Sequence, residues 1–149
     1  METSAFLINA SNLAQEGKIS IMRKYIFIGI GSFIGAVLRY LVKTIEITGY
    51  HGGFPLNTLI INVCGAFLLA FILTIALAAW EFSADFRTGI TVGLLGAFTT
   101  FSTLCKQAVG LMSSGDYFTA VLYMSVSIIL GLGFAYLGVI LARETGSKI

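Results

Sequence analysis

Charged residues are scarce in this sequence. Only 11% of its 149 residues are charged, whereas 57% are apolar and the mean hydropathy is +0.94. A soluble domain carries roughly 25% charged residues, so this chain could not keep so apolar a surface in water. A lipid bilayer is therefore its expected surrounding. The net charge of +2 is small and spread along the chain, which gives no indication of a nucleic-acid partner.

Residues that carry chemistry are scarce as well. Cys64 and Cys105 lie inside apolar runs without C-x-x-C spacing, which argues against a disulfide framework or a zinc site. His51 is the only histidine, and no acid or nucleophile is placed to act with it. General acid–base catalysis needs such groups within hydrogen-bond reach of the reacting atoms. The chain is therefore not expected to be an enzyme.

Four hydrophobic blocks make up most of the sequence. A bilayer crossing takes about 20 helical residues, and each block reaches that length. The predicted spans are residues 25–44, 56–79, 86–111 and 117–142, joined by short polar connections. The predicted fold class is thus an all-α integral membrane protein with a single four-helix transmembrane domain over residues 25–142.

The two ends of the chain lie outside this domain. Residues 1–24 are polar and without periodicity, so this leader is expected to be disordered, with Met22 as an alternative start. Residues 143–149 form a C-terminal tail. An even number of spans puts both termini on one side of the membrane. That side collects six basic residues and the other side three, which favours termini inside but leaves insertion in both orientations open.

Glycines at helical spacing occur in two spans. Gly31 with Gly35, and Gly89 with Gly93, form G-x-x-x-G patterns that let helix backbones approach closely. The pattern is common in membrane helices, so it indicates helix packing in general rather than one dimer face. Because four short helices cannot enclose a wide aqueous path, a homo-oligomer is expected.

No carboxylate lies at the centre of a span, since all seven are in tails, loops or helix ends. A proton-coupled exporter of cations needs an intramembrane carboxylate that holds proton and substrate alternately. The sequence therefore argues against that class of transporter. What the spans contain instead are neutral side chains that form hydrogen bonds.

Asn62 lies in the first third of the second span. Its amide offers two N–H donors to an anion. The alternative is a hydrogen bond to another helix, typically worth less than about 2 kcal/mol. In the fourth span, Tyr123 and Ser127 share a face one helical turn apart. That pair is a weaker signal, because a tyrosine near a helix end also serves as an interface anchor.

The middle of the third span is its most polar segment. Four hydroxyl residues surround Phe101 just after Gly96, and they are Thr99, Thr100, Ser102 and Thr103. A helix break is plausible here, and the backbone carbonyls it frees would have to meet protein, water or an ion. The alternative is that the hydroxyls bond back to the preceding turn of an unbroken helix.

Two basic residues, Arg39 and Lys106, lie near helix ends on one predicted side of the membrane. Snorkelling to water is the default interpretation, and a positive vestibule that attracts anions is the alternative. Together the polar residues favour a small anion, although hydroxyls also accept. The competing functions are a small ion-coupled transporter, which needs an ionisable switch in the membrane, and a structural membrane subunit, which would not need the hydroxyl cluster.

The sequence resembles the Fluc (CrcB) fluoride channels over about residues 25–142. The segments that carry the resemblance are Gly31-Ser-Phe-Ile-Gly-Ala-Val-Leu-Arg-Tyr, Thr58-Leu-Ile-Ile-Asn-Val-Cys-Gly and Gly96-Ala-Phe-Thr-Thr-Phe-Ser-Thr. The resemblance implies an antiparallel dimer of four-helix chains, formed with itself or with an oppositely oriented paralogue. It also implies a third helix broken at its centre and a structural Na⁺ on the two-fold axis, held by backbone carbonyls of Gly96 and Thr99 from both chains.

The resemblance implies a function and a set of residues as well. The expected activity is passive, fluoride-selective export from the cytoplasm across the plasma (inner) membrane, which gives fluoride resistance. The residues implied to line the anion pathway are Asn62, Phe101, Ser102, Thr103, Tyr123 and Ser127, with Arg39 at the vestibule. Two positions depart from the family pattern: Leu104 replaces a second phenylalanine, and Asn57 replaces a frequent glycine.

Overall fold

The computed structural model describes residues 2–44, 53–78 and 83–146, which are helical apart from short connections. The elements are α1 (Glu2–Thr44), α2 (Leu56–Ala78), α3 (Ala84–Thr88), a π-helical segment (Gly89–Leu95), α4 (Gly96–Phe98), α5 (Phe101–Ser113) and α6 (Tyr117–Gly146). Four stretches are long and apolar enough to cross a membrane, and the third runs from α3 to α5. The prediction of an all-α protein with four membrane spans is confirmed.

The structure differs from the sequence-based expectation at the leader. Residues 2–24 were expected to be disordered, but α1 begins at Glu2 and continues without interruption into the first span. The leader contains no proline and a single glycine, Gly17. Because extending a formed helix costs far less than nucleating one, the membrane span can propagate through such a sequence. At the other end, α6 continues to Gly146, past the predicted boundary at residue 142.

Glycine contacts join α1 to the first half of the third span. A Cβ atom on Gly93 would lie 2.6 Å from the carbonyl oxygen of Ile28, and one on Gly31 would overlap the carbonyl oxygen of Gly89. The two G-x-x-x-G patterns therefore face each other within one chain. This agrees with their interpretation as general helix-packing motifs.

The second half of the molecule is built on α6. α2 runs along α6, and α5 packs on α6 as well. Gly138 of α6 allows the close approach, because a Cβ there would lie 2.6 Å from the carbonyl oxygen of Phe67. A buried apolar cluster fills the space between α2, α5 and α6, and its members are Leu59, Val63, Ala108 and Tyr123. These contacts fix the rotation of the three helices about their axes.

An ion pair ties the N-terminal part of α1 to the start of the third span. Arg23 Nε lies 2.6 Å from Asp85 Oδ2, and the carboxylate is almost buried. Asp85 is in the first turn of α3, where a negative charge is favoured by the helix dipole. Both residues therefore lie at the same end of the bundle, which agrees with the side that the charge count assigns to Arg23.

Replacing Gly93 with alanine is expected to destabilise the fold. The added methyl would meet the carbonyl oxygen of Ile28, a backbone atom that cannot rotate away, so the two helices must separate. Overpacking of this kind costs about 1–3 kcal/mol. The measurement is the temperature at which the detergent-solubilised protein loses its monodisperse elution peak. Gly131→Ala is the matched control, because no atom lies within 4 Å of its Cβ position. Equal midpoints would contradict the packing.

Candidate functional site

The third span is interrupted at two residues. α4 ends at Phe98 and α5 begins at Phe101. Between them Thr99 (φ −74°, ψ 155°) and Thr100 (φ −151°, ψ 105°) are extended. This geometry is consistent with the predicted break. Extended backbone at membrane depth needs partners for its peptide groups, because lipid offers none.

Asn62 supplies those partners from α2. The Thr100 N–H donates to Asn62 Oδ1 at 2.8 Å, and Asn62 Nδ2 donates to the Thr100 carbonyl at 3.1 Å. The amide thus pairs with the exposed peptide as a neighbouring β-strand would. An asparagine amide has two N–H donors, and this arrangement uses one. The helix-to-helix hydrogen bond considered from the sequence is therefore present.

The break changes what two backbone carbonyls can bind. In an unbroken α-helix the N–H of Thr100 would donate to Gly96 and that of Thr103 to Thr99. Here the Thr100 N–H donates to Asn62, and the Thr103 N–H donates to Thr100 Oγ1 at 3.3 Å. Gly96 and Thr99 therefore lose their usual helical donors. Unwound carbonyls of this kind coordinate Na⁺ in membrane proteins.

The hydroxyls around the break divide into two kinds. Thr99 Oγ1 donates to the Leu95 carbonyl at 3.0 Å, which is the bond to the preceding turn considered as the alternative. The other three group at the start of α5: Thr100 Oγ1 donates to Thr103 Oγ1 at 2.9 Å and lies 3.4 Å from Ser102 Oγ. Thr100 also caps α5. These three residues, with Asn62, form one polar cluster, named here the break cluster.

Tyr123 belongs to a second polar group, nearer the connections that precede α2 and α6. Its hydroxyl donates to Gln107 Oε1 at 2.9 Å, and its ring meets the edge of Phe54 at a centroid distance of 5.3 Å. The side chain is fully buried, so it does not serve as an exposed interface anchor. Ser127 donates back to the Tyr123 carbonyl at 2.7 Å.

Two residues of this region were missed by the sequence analysis, Thr58 and Gln107. The Thr58 hydroxyl is buried beside that of Tyr123, within reach of a weak side-chain contact. Helical spacing could have identified both residues. Thr58 lies four positions before Asn62 and Gln107 four positions after Thr103, so each shares a helix face with a predicted site residue.

The remaining predicted residues lie on the surface of the single chain. Phe101 is 78% exposed, and Ser102 is exposed as well. Arg39 is half-buried, and no carboxylate in the described ranges pairs with it. Leu104, in contrast, packs against the buried cluster of α2, α5 and α6. Any pathway that passes Phe101 must therefore be completed by a surface outside this chain.

These features define a class of four-span helical membrane protein with an interrupted, hydroxyl-rich third span. A family profile described as "CrcB-like protein, Camphor Resistance (CrcB)" matches residues 26–139. The chain belongs to the CrcB family.

Curated relatives cover the same region. A protein of Shewanella halifaxensis named "Fluoride-specific ion channel FluC" is 38% identical over 117 residues, which are 78% of this chain and 94% of the relative. A protein of Oceanobacillus iheyensis with the same name is 41% identical over 121 residues, 81% of this chain and 92% of the relative. "Fluoride-specific ion channel FluC 2" of Staphylococcus saprophyticus is 39% identical over 126 residues, 85% of this chain and 98% of the relative.

Asn62→Ala is expected to loosen the break. The substitution leaves the N–H and the carbonyl of Thr100 without partners, at a cost of about 1–3 kcal/mol for each buried group. We expect faster amide hydrogen exchange across residues 99–103, measured by mass spectrometry on the detergent-solubilised protein. Ser125→Ala is the control, because that side chain is exposed on α6. Unchanged exchange in Asn62→Ala would show that the break does not depend on the amide.

Proposed function

We propose that this chain forms a fluoride-selective passive ion channel that exports cytoplasmic fluoride and so confers fluoride resistance. The observation that carries the proposal is the break cluster: an amide and three hydroxyls meet at an interruption of a membrane span, on a chain with no mid-span carboxylate. The relatives named as fluoride-specific channels support the same ion. The chain is a multi-pass protein of the plasma membrane.

Fluoride suits a site of this composition. The ion is small and strongly hydrated, so a narrow path must replace its water shell with well-placed donors. Asn62 and the hydroxyls of Ser102 and Thr103 provide N–H and O–H groups. Phe101 adds the positive edge of an aromatic ring, which can face an anion. Arg39 stands at the vestibule as a fixed positive charge.

The second polar group extends this path. Tyr123 and Ser127 lie one turn apart on α6, and the buried hydroxyl of Thr58 lies beside Tyr123. An ion that leaves the break cluster would meet these hydroxyls next.

The transport needs no energy coupling. At acidic external pH, fluoride enters a cell as neutral HF and ionises inside, and a selective channel lets the trapped anion leave down its gradient. No bond is made or broken, so the chain is not an enzyme. A coupled transporter would need an ionisable residue inside the membrane. Asp85, the acid with a described ion pair, lies at the end of its span bound to Arg23.

The working unit of the proposal is an antiparallel pair of chains, either two copies or this chain with an oppositely oriented paralogue. Two features support a second chain. Phe101 is 78% exposed, and a Cβ on Gly96 would meet nothing nearer than the Thr91 carbonyl oxygen at 3.9 Å. The freed carbonyls of Gly96 and Thr99 would hold the Na⁺, and a second copy would supply an equal set. The ion would serve as a structural link between the chains.

The first test is fluoride efflux from liposomes that contain the purified protein, read with a fluoride electrode beside a chloride control. We expect rapid release of fluoride and none of chloride. Phe101→Ile should slow fluoride release roughly 2- to 13-fold, since an aromatic contact is worth about 0.5–1.5 kcal/mol. Because the ring is exposed in the single chain, its replacement should leave the fold intact.

The matched control for Phe101→Ile is Phe118→Ile. Both phenyl rings are 78% exposed, but Phe118 is at the start of α6, away from the break. Equal efflux from the two variants would remove Phe101 from the pathway. Release of chloride as fast as fluoride would overturn the proposed selectivity, and no release from a well-folded sample would overturn the proposal for a single chain type.

Gly96→Leu is expected to prevent assembly without unfolding the chain. Gly96 is exposed, and a Cβ there meets only the Thr91 carbonyl oxygen at 3.9 Å, so the single chain should accept a larger residue at this position. We expect a shift from dimer to monomer in light scattering coupled to size exclusion, with helical content unchanged by circular dichroism. Thr99→Ala should keep the dimer, because the proposed ligand is the carbonyl rather than the hydroxyl. Intact dimers of Gly96→Leu would contradict this arrangement.

A further inference from the structure

Lys43 lies against the break cluster although it belongs to α1. Its Nζ is 3.5 Å from Thr103 Oγ1, and the end of α1 is held in place by Asn57, whose Nδ2 donates to the Lys43 carbonyl at 3.4 Å.

Lys43 lies one residue before the end of α1 at Thr44, and its side chain is exposed. Lysine side chains near helix ends normally extend outward to water. The Lys43 ammonium also lies beside Thr103, in the first turn of α5, where the positive end of the helix dipole adds to its charge. An anion close to Thr103 would be attracted by both.

The contact also changes the chemistry of Thr103. A hydroxyl has one donor and two acceptor positions. Thr103 Oγ1 accepts from Thr100 Oγ1 at 2.9 Å, and Lys43 Nζ lies 3.5 Å away, at the outer limit of a hydrogen bond. Its own O–H is left to donate. A donor beside a positive charge favours an anion over a cation.

We propose that Lys43 is a specificity-determining residue, which draws fluoride to the break cluster and makes Thr103 a hydrogen-bond donor. The inference rests on the proposed function as a fluoride channel. It also gives Asn57 a role, because its bond to the Lys43 carbonyl orients the end of α1 that carries the ammonium. Arg39 lies one turn earlier on the same face of α1, further from its end, and adds a second positive charge there.

The test compares fluoride efflux of Lys43→Met, Lys43→Arg and the unmodified protein in liposomes, with valinomycin carrying the compensating potassium. At low ionic strength, where screening is weak, we expect Lys43→Met to lose about tenfold in rate and Lys43→Arg to retain most of it. In about 1 M of an impermeant salt the charge is screened within about 3 Å, and the difference should shrink. Lys24→Met removes the same charge near the middle of α1, at the opposite end of the predicted first span, and should match the unmodified protein.

The outcomes separate this inference from the proposed function. Absence of selective fluoride release from the unmodified protein would overturn the proposed function and the role of Lys43 with it. Selective release with equal rates for Lys43→Met and Lys24→Met would overturn the role of Lys43 alone. A loss in Lys43→Met that is the same at low and high salt, and is shared by Lys43→Arg, would show that Lys43 acts through packing rather than charge.

Discussion

The pair of hydrogen bonds between the Asn62 amide and the Thr100 backbone is the contact on which the site depends. An unpaired peptide group inside a membrane costs several kcal/mol, so a span cannot be opened without a replacement partner. The amide is that partner, since it has a donor and an acceptor in the same plane. Once Thr100 is held, its hydroxyl can cap α5, and the carbonyls before it are released from their helical role.

The packing of the other helices holds Asn62 and Thr100 in position for this contact. α1 is held against the first half of the third span by backbone contacts at glycines, such as Gly93 with Ile28. α5 is held by the buried cluster that it shares with α2 and α6. The two halves of the third span are therefore fixed by different neighbours. Asn62 lies on α2 between them, so its position is set by the packing of the whole bundle rather than by the break itself.

The sequence was sufficient to predict the membrane spans and their polar residues, but not the contacts between those residues. Hydrophobic length identifies four helices, and the hydroxyls after Gly96 identify the region of the break. The partner of Asn62 could not be read, because it depends on the rotation of α2 relative to the third span. Thr58 and Gln107 were missed for the same reason: residue type does not tell whether a hydroxyl or amide faces lipid or a neighbour. The helical leader was not predicted, because its polar composition is typical of disorder, although it contains no proline that would interrupt a helix.

The length of α1 has a consequence for how the protein sits in a membrane. Its 43 residues correspond to about 65 Å, roughly twice the 30 Å of the hydrocarbon layer. The excess extends into water on the side of the termini, so the position of this N-terminal extension reports the orientation of each chain. In sealed vesicles, the share of chains whose extension is cut by added protease equals the share inserted with termini outward. A population of antiparallel pairs would then be cut to one half, whatever the vesicle preparation.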